Sequence, residues 1–228
     1  MTTKIAFDLG ATNLKWGIFE GNELISFNSH PLRKTTPEFV YAEINSIILD
    51  SKTKQKIVPI SVPGQVVAGK IVKFPNMDGD WKEQDFSAIC QKAVLRNDAD
   101  CAAHYLKNKY PVNEGRWISL CFGTGLGTTI IENGKIIPNL DLGLIEYNEL
   151  PMERLISSSI NFPKSQFLDN VRIILEKFND LFATRNYIFS GGSIARYKIT
   201  KEDIDLDYNI LIADDSEKIP LLGSNLLV

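Results

Sequence analysis

The sequence predicts an α/β protein of two related lobes, each combining a mixed sheet with flanking helices. Short β-type runs bounded by Gly, Pro or Asn alternate with longer segments of helical period. A strand, a glycine-rich turn and a second strand begin at Phe7–Thr12 and again at Phe122–Gly127. Because this unit recurs with no low-complexity linker between the copies, we expect the lobes to pack directly with a cleft between them. We place the lobes at residues 1–97 and 98–228.

Periodicity assigns the individual elements along the chain. Runs rich in β-branched residues that stop at glycine, proline or asparagine are assigned as strands. Apolar residues at helical spacing, as after Thr36-Pro37, are assigned as helices. In the first lobe the predicted elements are strands at Ile5–Leu9, Lys15–Phe19, Leu24–Phe27 and Ile57–Val62, a hairpin at Gln65–Phe74, and helices at Pro37–Leu49 and Phe86–Leu95. In the second lobe they are helices at Ala99–Tyr110 and Phe167–Phe182 and strands at Trp117–Phe122, Thr128–Glu132 and Tyr187–Phe189.

Composition excludes several classes of function. The chain has 228 residues, a formal net charge of -3 and a pI of about 5.5, which provides no general attraction to nucleic acid or anionic membranes. No apolar run approaches the roughly 20 residues that cross a bilayer, and MTTKIAFDLG lacks the features of a signal peptide. Cys90, Cys101 and Cys121 form no CxxC or Cys/His cluster, so we expect buried free thiols and no zinc. These features predict a cytoplasmic protein.

The first glycine turn has an acidic residue beside it, in Asp8-Leu-Gly-Ala-Thr-Asn-Leu-Lys15. Gly10 can adopt backbone angles closed to other residues, so that N–H groups of the turn point at a common centre. Magnesium prefers oxygen ligands and keeps several waters, and a neighbouring carboxylate therefore suits a magnesium-bound phosphate. An ordinary hairpin turn is the alternative reading of this segment alone.

The second turn, Gly123-Thr-Gly-Leu-Gly127, places three glycines and a threonine within five residues. It does not have Rossmann spacing, and a strand-like segment follows it where a Rossmann turn would open a helix. No Gly-Lys-Ser/Thr follows, which excludes a P-loop. The turn can still form a backbone cradle for phosphate oxygens. One such turn in each predicted lobe favours a phosphate site over two unrelated hairpins.

Three motifs together resemble a known superfamily. Asp8-Leu-Gly-Ala-Thr12, Gly123-Thr-Gly-Leu-Gly127 and Ser190-Gly-Gly192 resemble the phosphate-1, phosphate-2 and adenosine motifs of actin-like ATPases. Within that superfamily the sequence resembles the ROK family of sugar kinases and related repressors, and Ile137–Gly143 is most similar to its compact polyphosphate-type glucokinases. Further segments that carry the resemblance are Phe74–Gly79, Asn97–Ala103 and Leu221–Asn225.

The resemblance implies a fold and an activity. The fold would comprise two actin-like (ribonuclease H-like) lobes with mixed sheets flanked by helices and an interlobe cleft. The activity would be transfer of the terminal phosphoryl group of ATP to the hydroxyl of a hexose or related sugar, with Mg²⁺ as cofactor. The partners implied are a small-molecule sugar and a second copy of the chain, as a homodimer, with no nucleic acid and no membrane.

The resemblance also implies roles for individual residues. Asp98 matches the catalytic base that takes the proton of the attacking sugar hydroxyl. Asn76, Asn97 and Asp141, together with that base, match positions that bind the sugar. Asp8 matches the acid that organises the metal, through an indirect contact. The residues implied to bind the phosphoryl donor are Asp8, Gly10, Ala11, Thr12, Asn13, Lys15, Gly123, Thr124, Gly125, Gly127, Gly191 and Gly192.

One segment departs from the family pattern and leaves alternatives open. ROK kinases usually carry Glu-x-Gly-His after the second phosphate loop, whereas this chain has Asp141-Leu-Gly-Leu144. A site that loses a hydrogen-bonding partner rejects ligands that need it. The alternatives to a glucokinase-like enzyme are a catalytically weak sugar-binding sensor, a kinase of an acetamido sugar or polyol, and a kinase that uses polyphosphate as donor.

Overall fold

The computed structural model describes residues 3–51, 53, 55–89, 92–214 and 217–228. Its strands are β1 Thr3–Leu9, β2 Asn13–Glu20, β3 Glu23–Pro31, β4 Ile57–Val62, β5 Gln65–Val67, β6 Lys70–Lys73, β7 Lys92–Asn97, β8 Arg116–Phe122, β9 Leu126–Glu132, β10 Lys135–Ile137, β11 Glu146–Tyr147, β12 Leu150–Pro151, β13 Asn186–Ser190 and β14 Asn209–Ile212. Its α-helices are α1 Pro37–Ser51, α2 Asp98–Lys109, α3 Lys164–Phe182, α4 Gly192–Tyr197 and α5 Ile219–Asn225. Two short 3-10 helices span Leu142–Leu144 and Met152–Leu155.

The chain divides into two compact units. The first contains residues 1–105 and 220–228, and the second contains residues 106–219. The sequence placed the division at 97/98, where α2 begins, whereas the units divide within that helix. The C-terminal residues join the first unit because Leu221 of α5 packs against Ala6 and Phe19. The sequence pattern does not predict that the C-terminal residues pack on the first unit, because this packing depends on a contact between the two ends of the chain.

Each unit contains a five-stranded mixed sheet of the same design. In the first unit the strand order is β3-β2-β1-β4-β7, with β1–β3 antiparallel and β1, β4 and β7 parallel. In the second unit the order is β10-β9-β8-β13-β14, with β8–β10 antiparallel and β8, β13 and β14 parallel. The predicted pair of related α/β units is therefore confirmed, and the glycine turns separate β1 from β2 and β8 from β9.

Alternation along β1 sets the layers of the first unit. Successive side chains of a strand point to opposite faces of the sheet. Ile5, Phe7 and Leu9 belong to a core that includes Val40 and Ile44 of α1. Ala6 and Asp8 point the other way. In the second unit, the strands β8 and β13 and helix α3 share one buried core, whose members include Phe122, Phe167, Ile174, Phe178 and Phe189.

The predicted helix at Phe86–Leu95 is wrong. Lys92–Asn97 forms strand β7, which pairs with β4 in parallel along its whole length, from Ile57↔Lys92 to Val62↔Asn97. Residues 86–89 form turns before it. The local sequence suits a helix, but pairing with a buried strand overrides a weak local preference. The other predicted elements are present, with boundaries within a few residues of those expected.

Two further expectations concern cysteines and membranes. Cys101 is buried and Cys121 is partly buried, and neither forms a disulfide among the described residues. Cys90 lies outside the described residues. In the described part of the chain, no helix combines the length and the apolar character needed to span a bilayer.

Candidate functional site

Three polar side chains lie at the carboxyl ends of the parallel strands of the first unit. Asp8 is at the end of β1, Ser61 at the end of β4 and Asn97 at the end of β7. The register places Asp8 opposite Ser61 and places Val62, the next residue, opposite Asn97. In open α/β sheets this edge is where ligands bind. The fold thus brings together Asp8 and Asn97, which the sequence assigned to different ligands.

Asp8 is a buried carboxylate with two partners. Ser61 donates its hydroxyl to Asp8 Oδ1 at 2.8 Å, and Lys15 Nζ lies 3.5 Å from Asp8 Oδ2. Lys15 is on β2, directly across the hairpin from Asp8. Burial raises the pKa of Asp8 above its ordinary value, although the Lys15 ammonium and the Ser61 hydrogen bond oppose that shift. The site therefore holds a desolvated acid next to a fixed cation.

Asn97 and Asp98 form the junction between β7 and α2. Asn97 Oδ1 accepts a hydrogen bond from the Asp100 amide at 3.1 Å, which is an N-cap contact, and Asn97 Nδ2 donates to the Gly64 carbonyl at 2.9 Å. Asp98 Oδ1 accepts from the Ala99 amide at 2.8 Å. Asn97 is buried and Asp98 is partly exposed. The Asn97 amide is thus engaged within the protein at both ends and keeps only its second N–H for a ligand.

The charges of Asp8 and Asp98 both act on the buried thiol of Cys101. Its thiol lies one turn into α2 and is fully buried. Burial raises the pKa of the Cys101 thiol well above its ordinary value, and the negative charges of Asp8 and Asp98 raise it further. Two carboxylates from different elements therefore act on one buried group of the first unit.

Asn76 lies on a separate loop, which packs against Gly64 near the carboxyl edge of the first sheet. Gly64 has a φ of 110°, and a Cβ there would lie 2.2 Å from the Lys73 carbonyl oxygen and 2.9 Å from Pro75 Cδ. Only glycine permits this approach. The Gly64 carbonyl accepts a hydrogen bond from the Asn97 side chain. Gly64 therefore contacts both Asn97 and the loop that carries the exposed Asn76.

The first glycine turn is partly closed on itself. The Gly10 N–H donates to the Asn13 carbonyl at 2.9 Å, and the Leu32 amide donates to the Thr12 carbonyl at 2.9 Å. Ala11 is partly exposed and Thr12 is exposed. The Gly10 N–H is therefore engaged within the turn.

The second glycine turn is braced by a serine segment of the same unit. The Gly123 N–H donates to the Gly125 carbonyl at 3.1 Å, while the Gly123 carbonyl accepts from the Ser158 amide at 2.9 Å. Ser157 donates its hydroxyl to the Thr124 carbonyl at 2.6 Å. These contacts fix the backbone of the turn before any ligand binds. An added Cβ at Gly123 would meet nothing within 4 Å, so the turn borders open space there.

The turn after β13 touches the turn after β8. Gly191 has a φ of 100°, and a Cβ there would lie 2.4 Å from the Phe122 carbonyl oxygen. Gly192 is exposed and borders open space. The hydroxyls of Ser190 and Ser193 are buried and have no hydrogen-bond partner among the described residues. The fold therefore joins Gly191 and Gly192 with Gly123–Gly127 at the carboxyl edge of the second sheet.

A pocket opens beside α4, the helix that starts at Gly192. Its volume is about 490 Å³. Apolar side chains from α4 and β14 line it together with two lysines and two acids of the same unit. The lining residues are Ile194, Ala195, Lys198, Ile199, Ile212, Ala213, Asp214, Glu217 and Lys218.

Asp141 lies next to the second glycine turn. It precedes the 3-10 helix Leu142–Leu144, and a Cβ at Gly143 would lie 2.6 Å from the Leu126 carbonyl oxygen. Asp141 is partly exposed, and Leu144 is 44% exposed. The segment Asp141–Leu144, which departs from the family pattern, therefore packs on the start of β9. Leu144, which stands where the family has a histidine, is exposed to solvent.

Glu153 is a carboxylate that the sequence analysis missed. An added Cβ at Gly125 would lie 2.6 Å from Glu153 Oε2, so the side chain covers the middle of the second glycine turn. Within the described residues the Glu153 carboxylate has no hydrogen-bond or ion-pair partner. No glycine or spacing rule marks this position. The following Ser157–Ser159 run, which braces the turn, is the signal that could have drawn attention to the segment.

Metal-binding options are limited. Across the described residues, no three His, Cys, Asp or Glu side chains are grouped as a ligand set for a metal ion. Asp8 offers one carboxylate. Its Oδ1 accepts a hydrogen bond from Ser61, and its Oδ2 lies 3.5 Å from Lys15 Nζ. This donor set fits a magnesium ion held mainly through water and phosphate oxygens, since magnesium keeps several waters.

Two units of one strand order, each with a glycine turn at the carboxyl edge of its sheet, define the actin-like class predicted above. The chain belongs to the ROK family, which matches residues 4–139. The predicted membership is therefore confirmed.

Two curated relatives match part of the chain. A polyphosphate glucokinase of Mycobacterium leprae is 28% identical over 169 residues, which cover 67% of this chain and 51% of the relative. A polyphosphate glucokinase of Mycobacterium tuberculosis is 30% identical over 155 residues, which cover 60% of this chain and 56% of the relative. The chain thus spans about half the length of these relatives.

Two solved structures share the fold along the whole chain. An inorganic polyphosphate/ATP-glucomannokinase from Arthrobacter sp. strain KM has a TM-score of 0.89 at 22% identity, covering 100% of this chain and 98% of that chain. A ROK family glucokinase from Streptomyces griseus, in complex with glucose and AMPPNP, has a TM-score of 0.77 at 17% identity, covering 99% of both chains. At these identities the likeness establishes the fold.

Proposed function

We propose that the protein is a sugar kinase that transfers the terminal phosphoryl group of ATP to a hydroxyl of a hexose or related sugar. The observation that carries the proposal is the convergence of Asp8, Asn97 and Asp98 at the carboxyl edge of the first sheet. Membership of the ROK family supports it, as do the names of the relatives, a polyphosphate glucokinase and a polyphosphate/ATP-glucomannokinase. We place the reaction in the cytoplasm, with the protein acting as a homodimer.

Asp98 is the proposed base. Phosphoryl transfer needs little covalent help from the protein, so one carboxylate that accepts the hydroxyl proton can suffice. Asp98 is partly exposed and stands at the first residue of α2, fixed by the cap that Asn97 provides. Asn76, Asn97 and Asp141 are proposed to bind the sugar, Asn97 through its remaining N–H.

Asp8 and Lys15 are proposed to organise the charge of the donor. Magnesium, when bound, neutralises phosphate charge. Asp8 would hold it through water, and Lys15 would balance the buried carboxylate and the phosphates. The backbone N–H groups of Ala11 and Thr12 and those of the preformed turn Gly123–Gly127 would donate hydrogen bonds to phosphate oxygens. Asn13, Thr124 and the glycines assigned with them complete the proposed donor site.

A nucleotide is our first choice of donor. The pocket is large enough for a small-molecule group, is apolar in part, and is lined by α4, the helix that begins at exposed Gly192. Two acids, Asp214 and Glu217, share it with two lysines, and this mixed charge suits a base and ribose better than a polyanion.

Polyphosphate is the second candidate donor. The names of the mycobacterial relatives and of the Arthrobacter structure favour it. A basic track would support it, because a polyanion binds through several lysines or arginines at once. The lysines of the α4 pocket, Lys198 and Lys218, are interleaved with acids, so we rank polyphosphate below ATP.

The acceptor is proposed to differ from that of a standard ROK glucokinase. Leu144 stands exposed where the family pattern has a histidine, and Asp141 is shorter than the usual glutamate. Glu153 covers the second glycine turn, and we propose that this further carboxylate faces the phosphoryl donor. The test panel must therefore include acetamido sugars and polyols alongside hexoses.

A coupled assay of ADP release tests the proposal. Wild-type protein with magnesium-ATP is measured against hexoses, acetamido sugars and polyols, with polyphosphate as a parallel donor and Asp98→Asn as the control variant. We expect sugar-dependent release by the wild type and none by the variant. Absence of turnover with every donor and acceptor, from protein that still binds ATP, would refute the kinase and leave a sugar-binding sensor. Equal turnover by Asp98→Asn would refute the assigned base.

A further inference from the structure

The loop between β6 and β7 presents Asn76 in an unusual backbone conformation. Asn76 has a φ of 60° and an exposed side chain. A residue in the left-handed region keeps that conformation only when the flanking chain is held in place. On one side the close contact of Gly64 with Lys73 and Pro75 holds it. The other side is held by the segment that precedes α1.

Thr35 makes a reciprocal pair of hydrogen bonds with the loop. Its hydroxyl donates to Asp78 Oδ2 at 3.0 Å and accepts from the Asp78 amide at 2.8 Å. Thr35 is 8% exposed, which is unusual for a threonine that belongs to no helix or strand. Asp78 is two residues from Asn76, so the two bonds act directly on the backbone that orients it.

Trp81 joins the same arrangement from the far end of the loop. Its indole Nε1 lies 3.0 Å from both the Thr35 carbonyl and the Asp78 carbonyl and donates to them. The ring is 3% exposed and packs between Phe74 and Phe86. The hydroxyl and the backbone carbonyl of Thr35 therefore both bind this one loop.

Backbone packing shows how closely the two segments fit. A Cβ at Gly79 would lie 2.8 Å from Pro37 Cδ and 3.4 Å from Thr36 Cα. The loop thus rests on the first residues of α1 with no space for a side chain between them. Only a side chain of fitting size with a donor and an acceptor satisfies the buried position at Thr35.

We propose that Thr35 is a positioning residue for the acceptor, acting through Asp78 to orient Asn76. The inference rests on the proposed function, because it takes Asn76 as a sugar contact. Thr35 itself touches no substrate. Its loss should therefore weaken acceptor binding and leave the donor site and the base unchanged.

The decisive comparison is between Thr35→Val and Thr35→Ser. Valine matches the shape of threonine and removes both hydroxyl bonds, whereas serine keeps them. We expect Thr35→Val to raise the acceptor KM about tenfold, the effect of losing roughly one well-placed hydrogen-bonded contact, with kcat within about twofold and an unchanged KM for ATP. Thr35→Ser should restore the wild-type acceptor KM.

Thr184→Val is the matched control. Thr184 is likewise a buried threonine, 5% exposed, that donates its hydroxyl to the Arg116 carbonyl at 2.6 Å and accepts from the Asn186 amide at 3.2 Å. It lies in the second unit, and its partners Arg116 and Asn186 are not among the proposed sugar residues. We expect Thr184→Val to lose stability to a similar degree with no change in acceptor KM. If Thr35→Val does not fold, Trp81→Phe is measured in its place, because it removes the indole hydrogen bonds to the same loop.

The outcomes separate this inference from the function on which it rests. No sugar-dependent turnover by the wild type overturns both. If the wild type turns over and Thr35→Val has an unchanged acceptor KM, the positioning role alone is overturned. The same holds for Trp81→Phe where that variant is used in place of Thr35→Val. A fall in kcat with unchanged acceptor KM also overturns it, because that pattern belongs to the base. An acceptor-specific rise in KM that serine reverses supports it.

Discussion

Ser61 donates its hydroxyl to the buried carboxylate of Asp8 across two parallel strands, at 2.8 Å. The register makes the pair, since Asp8 on β1 stands opposite Ser61 on β4. Ser61 is fully buried, and Asp8 is 6% exposed. A carboxylate this far from water depends on the few donors that reach it. The pair therefore links the parallel part of the sheet to the electrostatics of the proposed donor site.

Replacing Ser61 by Ala should destabilise the protein by about 1–3 kcal/mol at neutral pH, because it leaves a buried charged group one donor short. The loss should shrink in the Asp8→Asn background, where no charge needs the hydroxyl. Urea unfolding of the four proteins of this double-mutant cycle measures the coupling. Ser119→Ala, at a buried serine of β8 in the second unit, is the control. Equal losses in both backgrounds would show that Ser61 acts by packing alone.

Asp8→Asn should stabilise the protein at neutral pH while abolishing turnover. The folded-state pKa of Asp8 is raised by burial, so the native protein binds protons more tightly than the unfolded chain. The stability that Asp8 contributes is then greatest below its unfolded pKa and falls as pH rises through the folded pKa. Asparagine carries no charge, so it removes the free-energy cost of burying the Asp8 carboxylate at neutral pH.

The expected rise in Tm is a few degrees, since about 1 kcal/mol moves the Tm of a chain this long by roughly 2–4 °C. Thermal melts without added magnesium, between neutral pH and the ordinary aspartate range, measure it. The advantage of Asp8→Asn should vanish toward acidic pH. A variant less stable than wild type at neutral pH would mean that the Lys15 ion pair outweighs the cost of burial.

Gly191 and Gly192 should respond in opposite ways to a single added methyl. Gly191→Ala forces a β-carbon to within 2.4 Å of the Phe122 backbone at a φ of 100°, so we expect severe loss of stability. Gly192→Ala meets open space in the first turn of α4 and should fold normally. If a nucleotide lies against Gly192, that variant should raise the KM for ATP severalfold. Thermal melts and ATP titrations of both variants check this, and normal melting of Gly191→Ala would contradict the packing.

Gly223→Ala tests the contact between α5 and α2. Within a helix interior alanine is favoured over glycine by about 1 kcal/mol, so local propensity alone predicts stabilisation. A Cβ at Gly223 would, however, lie 1.7 Å from the Cys101 carbonyl oxygen. We therefore expect destabilisation, and because Cys101 follows Asp98 on α2, a fall in kcat as well. Chemical unfolding decides the sign. A stabilised variant would show that α5 does not approach α2 this closely.

The fold and the glycine motifs are predictable from local sequence because both depend on short segments. Strand period and glycine turns predicted most strands of the two sheets, and the structure places Gly10 and Gly123–Gly125 in turns between strands, as expected. β7 was missed because its strand character comes from pairing with β4, which is distant along the chain. The Phe86–Leu95 segment carries no period that reports this pairing.

The supporting residues of the site were missed for the same physical reason. Ser61, Thr35 and Glu153 belong to no motif, and each gains its meaning from a contact with a residue far away in sequence. Asn97 was predicted as a sugar ligand, and its structure adds a cap for α2 and a bond to Gly64. Sequence motifs predict which groups would do chemistry, while the residues that hold those groups in place depend on the fold.

The central claim is that Asp98 serves phosphoryl transfer to a sugar. Phosphorus NMR of wild-type protein with magnesium-ATP and the best acceptor of the panel, run beside Asp98→Asn at matched ATP occupancy, tests it most directly. The account predicts a sugar phosphate and ADP in equal amounts from the wild type, and unchanged ATP with the variant. A sugar phosphate formed at the same rate by Asp98→Asn, or ATP hydrolysed to inorganic phosphate without sugar phosphate, would contradict it.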